Sequence, residues 1–349
     1  MGNKSKKFST KCVHEGEIKD TMYQGIVSPL FMSTTYPWFG GDDPEKKPYP
    51  RYFNTPNQEF LSKKIASLEN GEKALIFTSG MAAISTSIMA NVKTGDHIVV
   101  QNDIYGGTRN FVLTEFDKFG IEYSFTDGLD PLNFSDQIKD NTVGIYLETP
   151  SNPLLKIVDL KSVSSIAKDN GVWTMIDNTF SSPVNQNPID HGIDIVLHSA
   201  TKYLGGHSDI SAGAVVSTES RIEQILNSAK NFGGNLSDYT VWLLERSIKT
   251  LHIRVKEQTN NAKTLAKMLD ENTNISKVYY PGLESHPSHE IAKSQMNDFG
   301  GMMSFDLNNN VDVYDFLKSL NLVKPGMSLA GVETTVNFPM KTSHGLMTQ

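Results

Sequence analysis

Asp194-Ile195-Val196-Leu197-His198-Ser199-Ala200-Thr201-Lys202-Tyr203-Leu204-Gly205-Gly206-His207 sets a short apolar run directly before a lysine. Small hydroxyl residues precede the lysine and paired glycines follow it. The run reads as a strand, so Lys202 stands just past its carboxyl end, where open α/β sheets bind ligands. An amine in that place is kept neutral, and so nucleophilic, by burial or by neighbouring cations. Ser199 and Thr201 offer hydroxyl donors to a phosphate, while Gly205 and Gly206 let the backbone come close. Taken alone, Lys202 is better explained as a surface lysine after a strand, so the surrounding segments decide.

Upstream lies Val172-Trp173-Thr174-Met175-Ile176-Asp177, another apolar run closed by a carboxylate, 25 residues before Lys202. That gap suits one crossover between two parallel strands. Further runs at Ala74–Phe77, His97–Val100, Ile121–Phe125, Val143–Leu147 and Ala214–Val216 alternate with helical candidates at 80–91, 107–119, 159–170 and 219–230. Strands alternating with helices predict an α/β fold, a mostly parallel sheet flanked by helices on both faces. Ser237-Asp238 predicts the start of one long helix running through Trp242, Leu244, Ile248, Leu251 and Val255. Residues 1–55 read as an irregular arm of the kind that packs on a neighbouring subunit, with an exposed loop at 42–48. Residues 56–255 read as the large domain, and 256–349 as a smaller α+β domain.

Composition narrows the functional classes. Of 349 residues, 38% are hydrophobic and 20% charged, as in ordinary globular proteins. The net charge of −7 argues against nucleic acid as the main partner. No apolar run approaches the ~18 residues of a membrane span, and no secretory signal follows Lys4, Lys6 and Lys7. One cysteine, Cys12, allows no intrachain disulfide. The expectation is a soluble, cytoplasmic protein acting on a small molecule.

Two more segments complete a site. Phe77-Thr78-Ser79-Gly80-Met81-Ala82-Ala83 is a strand end, a small turn and a helix start, which together favour a phosphate. Asn102-Asp103-Ile104-Tyr105-Gly106-Gly107-Thr108 places Tyr105 where its ring can stack on a planar ligand. A reactive lysine, a phosphate cradle, a stacking ring and an Asp177 anion that keeps a pyridine nitrogen protonated are what pyridoxal 5′-phosphate (PLP) requires. Lys202 is the expected Schiff-base residue.

With these motifs the chain resembles the trans-sulfuration enzymes. These are the Cys/Met-metabolism group of fold-type I PLP proteins, which includes cystathionine gamma-synthase, gamma-lyase and beta-lyase and methionine gamma-lyase. The likeness runs from about Thr10 to Thr348. It also includes Tyr49-Pro50-Arg51-Tyr52, Glu148-Thr149-Pro150-Ser151-Asn152-Pro153 and Pro281-Gly282-Leu283 with Ser285-His286-Pro287. The resemblance implies that Lys202 bonds to PLP and shuttles protons, that Asp177 pairs with the ring nitrogen, and that Tyr105 stacks on the ring and acts in acid–base steps. It implies that Gly80, Met81, Ser199 and Thr201 hold the phosphate, and that Tyr49 and Arg51 reach the phosphate of the neighbouring subunit. Asn152, Ser328 and Glu148 are the implied substrate contacts. A homotetramer of two active dimers is the implied assembly, and no metal is expected.

The chain departs from the pattern at Met327 and Asn110, where the cystathionine enzymes carry charge, although Arg109 adjoins Asn110; Pro48 precedes Tyr49 where an acid can stand. That points to a more apolar outer pocket suited to methionine, yet Gly107 replaces the cysteine of methionine gamma-lyases. Relatives also continue into an Arg-Leu-Ser-Val-Gly-like motif whose arginine binds the substrate carboxylate, and no residue before Gln349 is assigned to it. In that sense the smaller domain is incomplete relative to the family. The expected reaction is γ-elimination or γ-replacement on cystathionine or an O-acylhomoserine. Alternatives are methionine γ-cleavage, β-elimination of cystathionine, and a PLP-binding subunit impaired by the absent arginine segment. A metal hydrolase built on His286, His289 and Glu290 is a weaker alternative, because Pro287 makes their segment a turn.

Overall fold

The computed structural model describes residues 6–40 and 47–342. Most of the expected 42–48 loop, and the end of the family likeness at Thr348, lie outside the described residues. In chain order the helices are α1 (Phe8–His14), α2 (Pro56–Leu68), α3 (Gly80–Ala90), α4 (Gly106–Phe119), α5 (Leu132–Ser135), α6 (Leu160–Asp169), α7 (Ser182–Asn185), α8 (Glu219–Phe232), α9 (Asp238–Ile248), α10 (Leu251–Asp270), α11 (His289–Gln295) and α12 (Val313–Ser319). The strands are β1 (Lys73–Phe77), β2 (His97–Gln101), β3 (Glu122–Thr126), β4 (Thr142–Glu148), β5 (Trp173–Asp177), β6 (Ile195–His198), β7 (Gly213–Ser217), β8 (Ile275–Tyr279), β9 (Ser304–Leu307), β10 (Lys324–Pro325) and β11 (Thr335–Val336).

The central sheet has seven strands in the order β1-β7-β6-β5-β4-β2-β3. Only β7 runs against its neighbours, pairing antiparallel with both β1 and β6. The other pairs are parallel. The inner strands are mainly apolar because both faces are covered, whereas the edge strand β3 alternates polar and apolar residues and leaves Glu122 exposed. Val196, Ile176, Leu147 and Ile145 point to a core shared with Leu61, Ile65, Val163 and Leu244 of α2, α6 and α9. Leu197, Met175 and Tyr146 point the other way, toward Ile84, Ile88, Val112, Phe116 and Ile222 of α3, α4 and α8.

Local chemistry fixes where helices start. Thr55 caps α2 with a full capping box to Gln58, ahead of Pro56. Ser79 caps α3 through its hydroxyl on Ala82 N.

Two expectations need correction. The single long helix after Ser237 is two helices, α9 and α10, parted at Lys249–Thr250. The Ser247 carbonyl at the end of α9 accepts from the Thr250 hydroxyl and the Arg254 guanidinium, so its chain-end demand is met by side chains and the axis turns. The arm is not wholly irregular either. It contains α1, held on α2 by buried Lys64, whose ammonium donates to the carbonyls of Cys12 and Val13. Seven residues carry no helix signal of their own; the tertiary contact supplies it.

Residue 256 falls within α10, which bridges two cores. Its first turns, Leu251 and Val255, join the large core. Ala262 and Ala266 join a small cluster with Val278, Tyr280 and Leu283 under the antiparallel β8–β9 pair.

Candidate active site

The carboxyl ends of β4, β5 and β6 lie side by side, with Glu148 in register with Asp177 and Asp177 with Leu197. The chain leaves β6 through a tight turn in which Lys202 N donates to Ser199 O and Gly206 N to Lys202 O. Gly206 has φ +66, a conformation that favours glycine, and its Cα side faces the guanidinium of Arg254. Lys202 Nζ donates to Ser328 Oγ at 2.9 Å across 126 residues. Burial pushes the Lys202 amine below its usual range, and the opposing charge of Asp177 only partly restores it. The turn therefore presents an amine biased toward its nucleophilic form.

Asp177 is buried, and burial raises its carboxyl above the ordinary range. The hydroxyl and N–H of Thr179 and the charges of His198 and Lys202 pull the other way. Thr179 also accepts from Ser199 N at 2.7 Å, so one side chain ties Asp177 to the Lys202 turn. With no ion pair to a cation among the described residues, this buried carboxylate suits a protonated ring nitrogen, which would supply that charge.

The expected phosphate cradle is the start of α3. Its first N–H groups, at Gly80 and Met81, have no intrahelical partner by geometry. Ser199 lies directly against this turn: a Cβ at Gly80 would meet Ser199 Cβ at 2.8 Å and Oγ at 2.9 Å. Gly213 is equally constrained, since a Cβ there would fall 2.0 Å from Ser79 O. Thr201 behaves differently. Its hydroxyl donates to Ala212 O at 3.1 Å and accepts from Ala212 N at 3.0 Å, so in this conformation it serves the turn.

Tyr105 precedes α4, and the Thr108 hydroxyl of that helix reaches Met81 Sδ at 3.9 Å, which sets the two helix starts side by side. The Tyr105 ring lies over Gly107, where a Cβ would meet it at 2.5 Å. Asn152 follows β4 in a turn anchored on Glu148, whose two oxygens accept from Tyr105 N and Asn152 N. Ser328 is presented by the loop between the paired β10 and β11. Within one chain, Tyr49 and Arg51 are engaged elsewhere. Arg51 donates to Lys230 O at 2.7 Å and lies over the Tyr52 ring, while Tyr49 packs edge-on to Tyr52. The Arg109 guanidinium stacks on Phe125 and donates to Asn102. His286 lies just before α11 and His289 begins it, and no cluster of three or more His, Cys, Asp or Glu side chains able to hold a metal occurs among the described residues.

Two supports carried no sequence signal beyond their type. They are the Arg254 guanidinium on Tyr203 O at 2.9 Å, and a buried pair beneath the strand ends, His198 Nε2 and Glu69 Oε1 at 2.6 Å. Each partner is distant in sequence, so spacing could not reveal it. The assembled groups suit an aldehyde that carries a phosphate and a basic ring nitrogen.

The comparisons agree with that chemistry. The family model described as Cys/Met metabolism PLP-dependent enzyme matches residues 9–349. Cystathionine beta-lyase of Lactococcus lactis subsp. cremoris is 42% identical over 340 residues, covering 97% of this chain and 88% of the relative. Cystathionine gamma-lyase of Bacillus subtilis is 40% identical over 97% of this chain and 89% of the relative. The crystal structure of cystathionine gamma-lyase from Lactobacillus plantarum complexed with L-serine superposes with a TM-score of 0.93 at 36% identity, over 97% of this chain and 89% of that one.

Proposed function

The chain belongs to the Cys/Met metabolism PLP-dependent enzymes, and on that premise we propose that it breaks or forms the γ-carbon bond to sulfur or oxygen in cystathionine or an O-acylhomoserine. The observation that carries this reading is the Lys202 turn, where a partly buried amine with a lowered pKa is held by Ser328 next to the Asp177 carboxylate. PLP, when bound, supplies an electron sink for the charge left at the substrate α-carbon.

The chain's own groups do the rest. Lys202 would hold the cofactor, and its Nζ, oriented by Ser328, would take the α-proton and return protons to the product. Asp177 keeps the ring nitrogen protonated. Gly80 and Met81 N–H groups and the Ser199 hydroxyl bind the phosphate, joined by Thr201 once its hydroxyl turns from Ala212. Tyr105 would face the cofactor ring and exchange protons, and Asn152 would orient the cofactor or the substrate carboxylate. Tyr49 and Arg51 serve the phosphate of a neighbouring subunit, the forked guanidinium matching its oxygens.

The arm supports such an assembly. Ile26 and Phe39 are 96% and 95% exposed, with Met22 and Tyr23 nearby and also exposed, and apolar side chains so bare call for a covering surface. We take the assembly to be a homotetramer with shared active sites, working in the cytoplasm. No helix among the described residues is long and apolar enough to cross a membrane. A second reading, β-elimination of cystathionine, is favoured by the likeness to a cystathionine beta-lyase.

The test is the visible spectrum of PLP-loaded protein, followed by product analysis with L-cystathionine. A band present in the native chain and lost in Lys202→Ala is expected, with 2-oxobutanoate as product. Pyruvate in its place establishes the second reading, and methanethiol from methionine the methionine alternative. A spectrum indifferent to Lys202→Ala overturns the assignment of the lysine.

A further inference from the structure

We propose that Glu148 is a positioning residue, a clamp that sets the backbones of Tyr105 and Asn152 at the cofactor, and not a group that binds substrate. The inference rests on the reading that PLP sits at Lys202, and it deepens that reading by assigning the residue that aims two of its contacts.

Glu148 ends β4 in register with Asp177, and only 4% of it is exposed. Oε2 accepts from Tyr105 N at 2.8 Å, and Oε1 from Asn152 N at 2.9 Å. Its own N–H donates to Gln101 Oε1 at 3.0 Å, and Gln101 Nε2 donates on to Asp103 O. No Lys, Arg or His forms an ion pair with it among the described residues. Each oxygen is thus committed to a peptide N–H, with almost no surface left for a ligand.

The two N–H groups belong to different segments, which are also tied by the Lys156 ammonium on the Asp103 carboxylate. Tyr105 is 43 residues away and Asn152 four. Tyr105 occupies the residue before α4, where no side-chain cap fixes its backbone. Its ring packs against Gly107, where a Cβ would meet Cε1 at 2.5 Å, so the ring's place follows the backbone that Glu148 holds. Two N–H donors require two acceptor oxygens. A carboxylate provides both in one plane, whereas a carboxamide provides one and turns its own NH2 against the second donor. An aspartate is one methylene short of both.

The test compares Glu148→Gln and Glu148→Asp with the native chain, each also in a Tyr105→Phe background. Amide hydrogen exchange is read in peptides containing Tyr105 and Asn152, with and without PLP. Circular dichroism of the bound cofactor and kcat and KM for L-cystathionine complete the set. In Glu148→Gln, exchange is expected to rise roughly tenfold or more at the amide left facing the carboxamide NH2, which can no longer find an acceptor there. The cofactor's dichroic band should weaken. Turnover should fall roughly 10–100-fold, mostly in kcat, as expected of misplaced groups. The dichroic and kcat changes should shrink in the Tyr105→Phe background.

Unchanged exchange at both amides overturns the clamp. So does a loss confined to KM that persists in full with Tyr105→Phe, which would restore Glu148 as a substrate contact. Should Glu148→Gln fail to fold, the native chain decides: fast exchange at Tyr105 and Asn152 in folded protein overturns the proposal. A native chain that shows no visible PLP band defeats the cofactor reading but leaves the exchange result to judge the clamp separately.

Discussion

Removing Glu69 should cost the protein far more than a surface acid would, because it sits under the strand ends that carry the site. Glu69 and His198 are both almost wholly buried, at 0% and 2% exposure. Oε1 accepts from His198 Nε2 at 2.6 Å and from Asn178 Nδ2 at 2.8 Å, and Oε2 from Asn187 Nδ2 at 3.2 Å. In Glu69→Ala, Asn178 keeps the Gln186 carbonyl and Asn187 the Leu68 carbonyl. His198 Nε2 loses its partner inside the core. Breaking a buried pair from one side costs about 3–5 kcal/mol. At about 2 °C per kcal/mol for a chain of this size, the melting temperature should fall by roughly 6–10 °C. Asn178 follows Asp177 and His198 precedes Ser199, so PLP affinity should weaken with it. The assay is thermal melting of the PLP-loaded protein for Glu69→Ala, His198→Ala and the double variant. If a stranded imidazole causes the loss, the double variant should be less destabilised than the sum of the singles by about 0.5–3 kcal/mol. Strict additivity, or a single-variant shift under roughly 2 °C at the slope used above, would refute the reasoning.

Two further outcomes follow from particular contacts. Burial, with the charges of His289 and Lys277, pushes His286 down to about 4, and its Nδ1 accepts from Ser288 N, which only the neutral ring allows. Between pH about 4 and 6.5 the unfolded chain binds the extra proton, so stability rises with pH there, is complete above 6.5 and is lost toward 4. The difference is on the order of 3 kcal/mol. Melting curves of His286→Asn should therefore decline less steeply from pH 7 to 4.5 than those of the native chain, and equal slopes would sink the assignment. Gly213→Ala would drive a Cβ to 2.0 Å from Ser79 O. It should displace the start of α3 and weaken PLP binding, read by equilibrium dialysis, by roughly tenfold for each 1.4 kcal/mol of disruption; unchanged affinity would show that the cradle does not depend on that turn.

Much of the sheet was legible because its information is local. Each of the seven apolar runs became a strand within a residue or two of its expected place, since strands covered on both faces must be apolar along their length. The four helical candidates held for a similar reason, in that small turns and caps such as Ser79 mark where helices begin. The break between α9 and α10 was not legible, because apolar spacing through Leu244, Ile248 and Leu251 runs on regardless. The turn depends on Arg254 and Thr250 meeting the Ser247 carbonyl. Nor was α1 legible, since Lys64, 52 residues from Cys12, holds its end.

By itself, then, the sequence determined the alternation of strands and helices, the placing of Lys202 and Asp177 at strand ends, and the chemistry those residue types permit. Which atoms meet was decided only by the tertiary structure. Ser328 is brought to Lys202 across 126 residues, the Thr201 hydroxyl turns to Ala212, Thr179 joins Asp177 to Ser199, and both Glu148 oxygens are committed to peptide N–H groups. The physical reason is range. Periodicity and capping act over a few neighbouring residues and leave their mark in spacing, whereas a buried polar atom must find whichever partner the folded core places within about 3 Å of it.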